Sequence, residues 1–219
     1  MMSLMNSRAA KKNPYRSRLR AEQAAATRRL VLDAASRLFV ERGYAATSID
    51  AIAEAAGVGR STVFAASEGK PWLLKTAYDR AIVGDDEPLP LLQRPQARKL
   101  FEMTDPAEIV ADYARIIATA MQRVSAIYEV VRYAAGCDPE VGQLWQQISQ
   151  ERLTGAERIA ALLHERGCLR DGLSLDRASD IIWIYNDPAL HYALVHARGW
   201  NQDQFLDWLT DNLHHHLLG

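Results

Sequence analysis

At 219 residues and about 24.5 kDa, with 48% apolar and 24% charged residues, the chain can form one large domain or two small ones around a real hydrophobic core. That composition excludes collagen-like, coiled-coil-only and wholly disordered chains; no apolar run approaches the ~18 residues of a membrane span, and the N-terminus lacks the apolar stretch of a secretory signal, which implies a cytoplasmic protein. The net charge of −1 hides an asymmetry, because residues 1–83 hold 14 Lys and Arg against 7 Asp and Glu while the remainder holds 12 against 20, so only the N-terminal third suits a polyanion such as nucleic acid.

Residues 1–26 carry Arg8, Lys11, Lys12, Arg16, Arg18 and Arg20 without periodicity and read as a basic, flexible arm, either a solvated tail or an arm that reaches DNA. The first helix is predicted from Thr27 to Arg42, with Leu30, Ala34 and Leu38 on one stripe and Val31, Ala35 and Phe39 beside it, and Gly43 as its stop. Thr47-Ser48-Ile49-Asp50 has the spacing of a capping box, with the Thr47 hydroxyl as cap and Asp50 reaching back, ahead of a short helix that buries Ile52, Ala53 and Ala56. Gly57-Val58-Gly59 breaks that helix, and Arg60 to Ala65 is long enough for one or two turns. Lys70-Pro71 opens a fourth helix that runs to Gly84.

Residues 84–105, with prolines 88, 90 and 95, form an interrupted connector. Asp105-Pro106 then starts a helix to about Val124, with a further one to Ala135. Asp138-Pro139 starts another, to Arg166. A helix over 175–198 is predicted to kink or break at Asp187-Pro188, and the last helix spans about 202–217. The segment 106–219 therefore reads as a second helical domain, and the whole protein as all-α, since almost no segment alternates apolar and polar residues.

A capped short helix, a Gly-Val-Gly turn and a second very short helix make helix-turn-helix grammar, with the second helix sized for a major groove. The stretch LDAASRLFVERGYAATSIDAIAEAAGVGRSTVF, continuing to Gly69-Lys70-Pro71-Trp72-Leu73-Leu74, closely resembles the N-terminal domain of the tetracycline-repressor (TetR) family over residues 27–83. The resemblance implies a three-helix DNA-binding domain, a linking fourth helix, and a divergent helical domain that dimerises and binds an inducer. It implies phosphate contacts from Thr47 and Ser48, base-edge contacts from Arg60, Ser61 and Thr62, Phe64 at a position usually held by Tyr, and Lys70 as a phosphate contact. Simple capping by Thr47 and a solvated Arg60 are the plain alternatives. Where the family commonly places His and Phe, this chain has Ala66 and Ser67.

No cofactor, metal site or catalytic set is expected. Ser67-Glu68-Gly69-Lys70 fits S-x-x-K, but the partner motifs S-D-N and K-T-G are missing. His191 and His196 are five apart, a poor spacing for one metal, His214 to His216 read as frayed surface, and Cys137 and Cys168 form no C-x-x-C pair. The aromatics concentrate after residue 106, where Tyr113, Tyr128, Trp145 and Trp183, with Tyr133 and Tyr185, either form ordinary core or line a ligand pocket oriented by Asn186. Residues 175–198 and 201–217 are expected to make a homodimer as a four-helix bundle, because Ile181, Ile182, Ile184, Leu194, Phe205, Leu209 and Leu213 exceed one core face. The expected function is a sequence-specific transcriptional regulator, a repressor released from double-stranded operator DNA by a small-molecule inducer. The alternatives are an architectural DNA-binding dimer without a ligand, or a helical-bundle enzyme.

Overall fold

The computed structural model describes residues 14–84 and 91–218, and every regular element among them is helical. The helices are α1 (Pro14–Ala46), α2 (Ile49–Ala56), α3 (Arg60–Ala66), α4 (Lys70–Val83), α5 (Pro95–Arg98), α6 (Pro106–Ala134), α7 (Pro139–Glu165), α8 (Leu175–Tyr185), α9 (Pro188–His191) and α10 (Gln202–Leu217). Short 3-10 turns flank α5, and a π-helical turn, Tyr192–Ala197, follows α9. No described helix is long and apolar enough to cross a membrane.

Start signals read from sequence are used as written. Asp105, Asp138 and Asp187 each cap a helix whose first residue is proline, their carboxylates accepting backbone N–H groups that the first turn leaves orphaned. The expected break at Asp187-Pro188 is present. Two expectations change. The helix α1 begins at Pro14, not Thr27, so residues 14–26 are helical and not an aperiodic arm; residues 1–13, with Arg8, Lys11 and Lys12, lie outside the described residues. This extension has no apolar face. Its described side chains are mostly exposed, and Arg18 pairs with Glu22 one turn on at 2.9 Å, so alanine propensity and ion pairing carry it, and no periodicity announces it. The helix α6 is a single 29-residue element, because nothing near Val124 breaks it.

The apolar core splits into two clusters. One is built on Val31, Leu38, Phe39, Ile52, Val63 and Leu73 of α1–α4 and continues into Val124–Ala134 of α6 and the start of α7. The other joins the first half of α6 to α7, α8 and α10. Thus α6 runs through both, and α4 packs on it. Leu30, assigned to the core stripe of α1, is exposed, while Leu32 is buried in its place.

Candidate nucleic-acid interface and internal cavity

The interface begins with α2. Ser48 is its N-cap, the Oγ accepting from the Ala51 N–H at 3.1 Å. At the other end Gly57 adopts φ 66°, a left-handed conformation that only glycine takes without strain, and so turns the chain into α3. Val63 and Ala66 of α3 point into the head core, which leaves Arg60, Ser61 and Phe64 outward and Thr62 half-buried. The Arg60 Nη1 lies 2.6 Å from Asp50 Oδ2, and its guanidinium is 5.6 Å from the centre of the half-exposed Phe64 ring. Held between a carboxylate and an aromatic ring, the guanidinium is oriented in a planar fork suited to a guanine edge or a phosphate.

Lys70 opens α4 beside this surface. Its Nζ sits 4.0 Å from the centre of the Tyr44 ring, whose hydroxyl donates to Asp138 Oδ2 at 2.8 Å. Asp138 is also the N-cap of α7, so α1, α4 and α7 meet at one polar junction. Partial burial pulls the Lys70 ammonium below its ordinary pKa while Asp138 opposes that shift. The Tyr44 hydroxyl, helped by the Val141 and Glu140 N–H groups and opposed by burial, holds the Asp138 carboxyl below its ordinary value.

Between α4, α6 and α7 lies a cavity of about 640 Å³, within the range of small-molecule sites. Tyr78 and Ile82 of α4, Tyr113 and Met121 of α6, and Ile148 and Arg152 of α7 line it, and Asn186 closes one end. Arg152, with only 11% of its side chain exposed, organises that end. Its Nη2 donates to the Trp183 carbonyl at 2.7 Å and lies 3.3 Å from Asp187 Oδ2, Nη1 donates to the Tyr128 hydroxyl at 3.2 Å, and Nε donates to Asn186 Oδ1 at 3.2 Å. Burial pushes the Tyr113 phenol up to about 12, so it stays protonated at neutral pH.

Residues 31–70 match the family model for bacterial regulatory proteins of the tetR family. The resemblance to the tetR family is thus carried by the segment from α1 to the first residue of α4. A comparison with curated proteins finds no match. Among solved structures the fold is similar to NalD, the secondary repressor of the MexAB-OprM multidrug efflux pump in Pseudomonas aeruginosa, at 22% identity and a TM-score of 0.66, covering 89% of this chain and 97% of NalD. A transcriptional regulator from Saccharomonospora viridis in complex with choline is similar at 20% identity and TM-score 0.68, covering 89% and 99%. The regulator FadR from Bacillus subtilis in complex with stearoyl-CoA is similar at 17% identity and TM-score 0.65, covering 84% and 96%.

Of the residues singled out from sequence, Ser48, Arg60, Ser61, Thr62, Phe64 and Lys70 lie along α2, α3 and the start of α4. Thr47 needs correction. It is fully buried, its hydroxyl in reach of the Gly43 carbonyl at 2.8 Å and the Leu38 carbonyl at 3.1 Å, so it ties the end of α1 to α2 and has no surface to offer a phosphate. Nor do Thr47 and Asp50 form a capping box, since Ser48 caps and Asp50 pairs with Arg60. Ala66 is only 8% exposed and belongs to the head core. Of the aromatics singled out from sequence, Tyr113 lines the cavity together with Asn186, whereas Tyr128 is buried core between Tyr78 and Trp145, with ring centres 6.4 and 5.1 Å away. Trp145 packs on the head-side core and Trp183 flanks Arg152 at 5.3 Å, and neither lines the cavity. Arg152, Tyr78, Ile82 and Met121 were missed. One arginine on an amphipathic helix has no spacing signal, and three apolar side chains look like any core stripe.

Proposed function

We propose that the chain is a homodimeric, cytoplasmic transcriptional repressor that leaves its operator when a small molecule occupies the cavity between α4, α6 and α7. The observation that carries this reading is the double role of α4: it begins at Lys70 beside the recognition helix and supplies Tyr78 and Ile82 to the cavity wall. A ligand that fits better when α4 is displaced shifts the head away from its DNA-bound arrangement, by no more than its differential affinity for the two states. Residues 27–83 form the DNA-reading part, with Arg60, Ser61 and Thr62 toward base edges and Ser48 and Lys70 toward phosphates. Residues 106–219 hold the dimer contact and, together with α4, the ligand.

The presence of small molecules in the choline and stearoyl-CoA complexes of similar fold supports the reading, and the cavity argues against a purely architectural dimer. The residues of the S-x-x-K match have other work: Ser67 Oγ donates to the Val63 carbonyl at 2.8 Å, and Lys70 rests on Tyr44. For the dimer, the outward residues are Ile184, 53% exposed, with Leu175 and Tyr192. Ile182, Phe205, Leu209 and Leu213, first counted as surplus to one core face, are buried within the chain. The test is selection of duplexes from a random pool followed by footprinting. The reading requires a two-fold symmetric protected site and binding that weakens steeply with salt; an asymmetric footprint contradicts it.

A further inference from the structure

Resting on the ligand-responsive reading above, we infer that the cavity takes an uncharged, largely apolar compound carrying one hydrogen-bond acceptor, which Tyr113 engages at the closed end. Asn186 sets the direction of the Tyr113 contact. Its Oδ1 faces Arg152 Nε, which can only donate, and its Nδ2 faces the Arg152 carbonyl at 3.4 Å, which can only accept. Those two neighbours fix the amide orientation without ambiguity. The same Nδ2 then points at the Tyr113 oxygen at 3.5 Å, so the phenol oxygen is the acceptor in that contact and its proton is left for another partner. None of the described residues supplies one. Tyr113 is buried and its phenol stays protonated, so an O–H donor on the cavity wall has no acceptor until a ligand or water brings one.

The charges on the wall argue for a neutral occupant. Lys75 and Asp79 neutralise each other at 2.6 Å, and Arg152 faces Asp187. Glu151 and Arg158, the other charged residues lining the cavity, are exposed. An ammonium carried to the closed end would lose its hydration with no free acceptor to meet it, and a carboxylate would gain only the one neutral Tyr113 O–H among apolar side chains and charges already paired.

A matched set of probes on one core tests this: para-phenylbenzophenone, its acceptor-free counterpart para-benzylbiphenyl, and the ketone bearing either a carboxylate or a trimethylammonium group. Binding to the full chain and to Tyr113→Phe is measured by calorimetry. The ketone is expected to bind the parent chain about twofold to tenfold more tightly than the hydrocarbon, with the preference gone in Tyr113→Phe, and both charged probes to bind roughly tenfold or more weakly. Unchanged affinity of the hydrocarbon for Tyr113→Phe shows an intact cavity. A ketone preference that survives in Tyr113→Phe, or tightest binding by a charged probe, overturns the inference and leaves the ligand-responsive reading standing. Binding by none of the four overturns both.

Discussion

Replacing Arg152 with Met should be among the most destabilising single changes in the cavity wall. The substitution keeps an unbranched apolar stem but removes a guanidinium that serves Trp183, Tyr128, Asn186 and Asp187 at 2.7–3.3 Å. Breaking a buried ion pair by deleting one partner costs about 3–5 kcal/mol, because the other charge is left uncompensated. Here the Asp187 side chain is 32% exposed, so water screens the abandoned carboxylate, and the carbonyl and hydroxyl beside the cavity can recruit water in turn. The lower end of the range applies, about 3 kcal/mol. At about 2–4 °C per kcal/mol for a chain of this size, the melting temperature should fall by about 6–12 °C. Adding Asp187→Asn to Arg152→Met should recover part of the loss, because Asn still caps α9 through its side-chain oxygen and leaves no charge unpaired. Thermal and urea unfolding at one fixed protein concentration measure both, the concentration being held because dimerisation shifts apparent stability. A loss under about 1 kcal/mol, or a double variant less stable than Arg152→Met, would refute the account of Arg152 as the organiser of the closed end.

Three further outcomes are expected. Ala66→His should destabilise the head by about 1–3 kcal/mol through overpacking and should not tighten binding to random-sequence DNA, as judged by thermal unfolding and anisotropy titration. Burial, with His196 adding to it and Gln202 opposing, lowers the His191 pKa below its usual 6.5. From about pH 6.5 downward the unfolded chain therefore binds a proton that the folded chain refuses, and stability should fall with pH, less so in His191→Gln, in urea titrations at about pH 7.5 and about pH 5.5. Ile184→Lys places a charge on the exposed apolar face of α8 and should shift the protein toward monomer in sedimentation velocity at micromolar concentration, while an unchanged dimer would move the interface elsewhere.

Much of the fold was legible because its helix starts are written in local chemistry. Asp-Pro at 105–106, 138–139 and 187–188 sets a capping carboxylate before a residue that needs no N–H partner, a signal independent of tertiary context. The N-terminal half of α1 was illegible for the opposite reason: without an apolar face, periodicity has nothing to detect. Around α3, sequence placed Arg60 and Phe64 on the surface, whereas Thr47 was misjudged because a small hydroxyl side chain at a helix boundary suits either a cap or a buried tie. The cavity was partly legible through Tyr113 and Asn186. Its organiser was not, since Arg152 gains its meaning from Tyr128, Asn186 and Asp187, which lie 24 to 35 positions away and converge only in the folded chain.

Whether α3 reads DNA sequence through Arg60 is decided by comparing parent and Arg60→Ala chains on a pool-selected duplex and its scrambled counterpart at one salt concentration. If Arg60 grips a base edge, Arg60→Ala loses about 1–3 kcal/mol on the selected duplex, relaxes base choice at one position per half-site, and changes little on the scrambled one. Equal weakening on both duplexes would make Arg60 a phosphate contact and contradict the assignment of the reading surface.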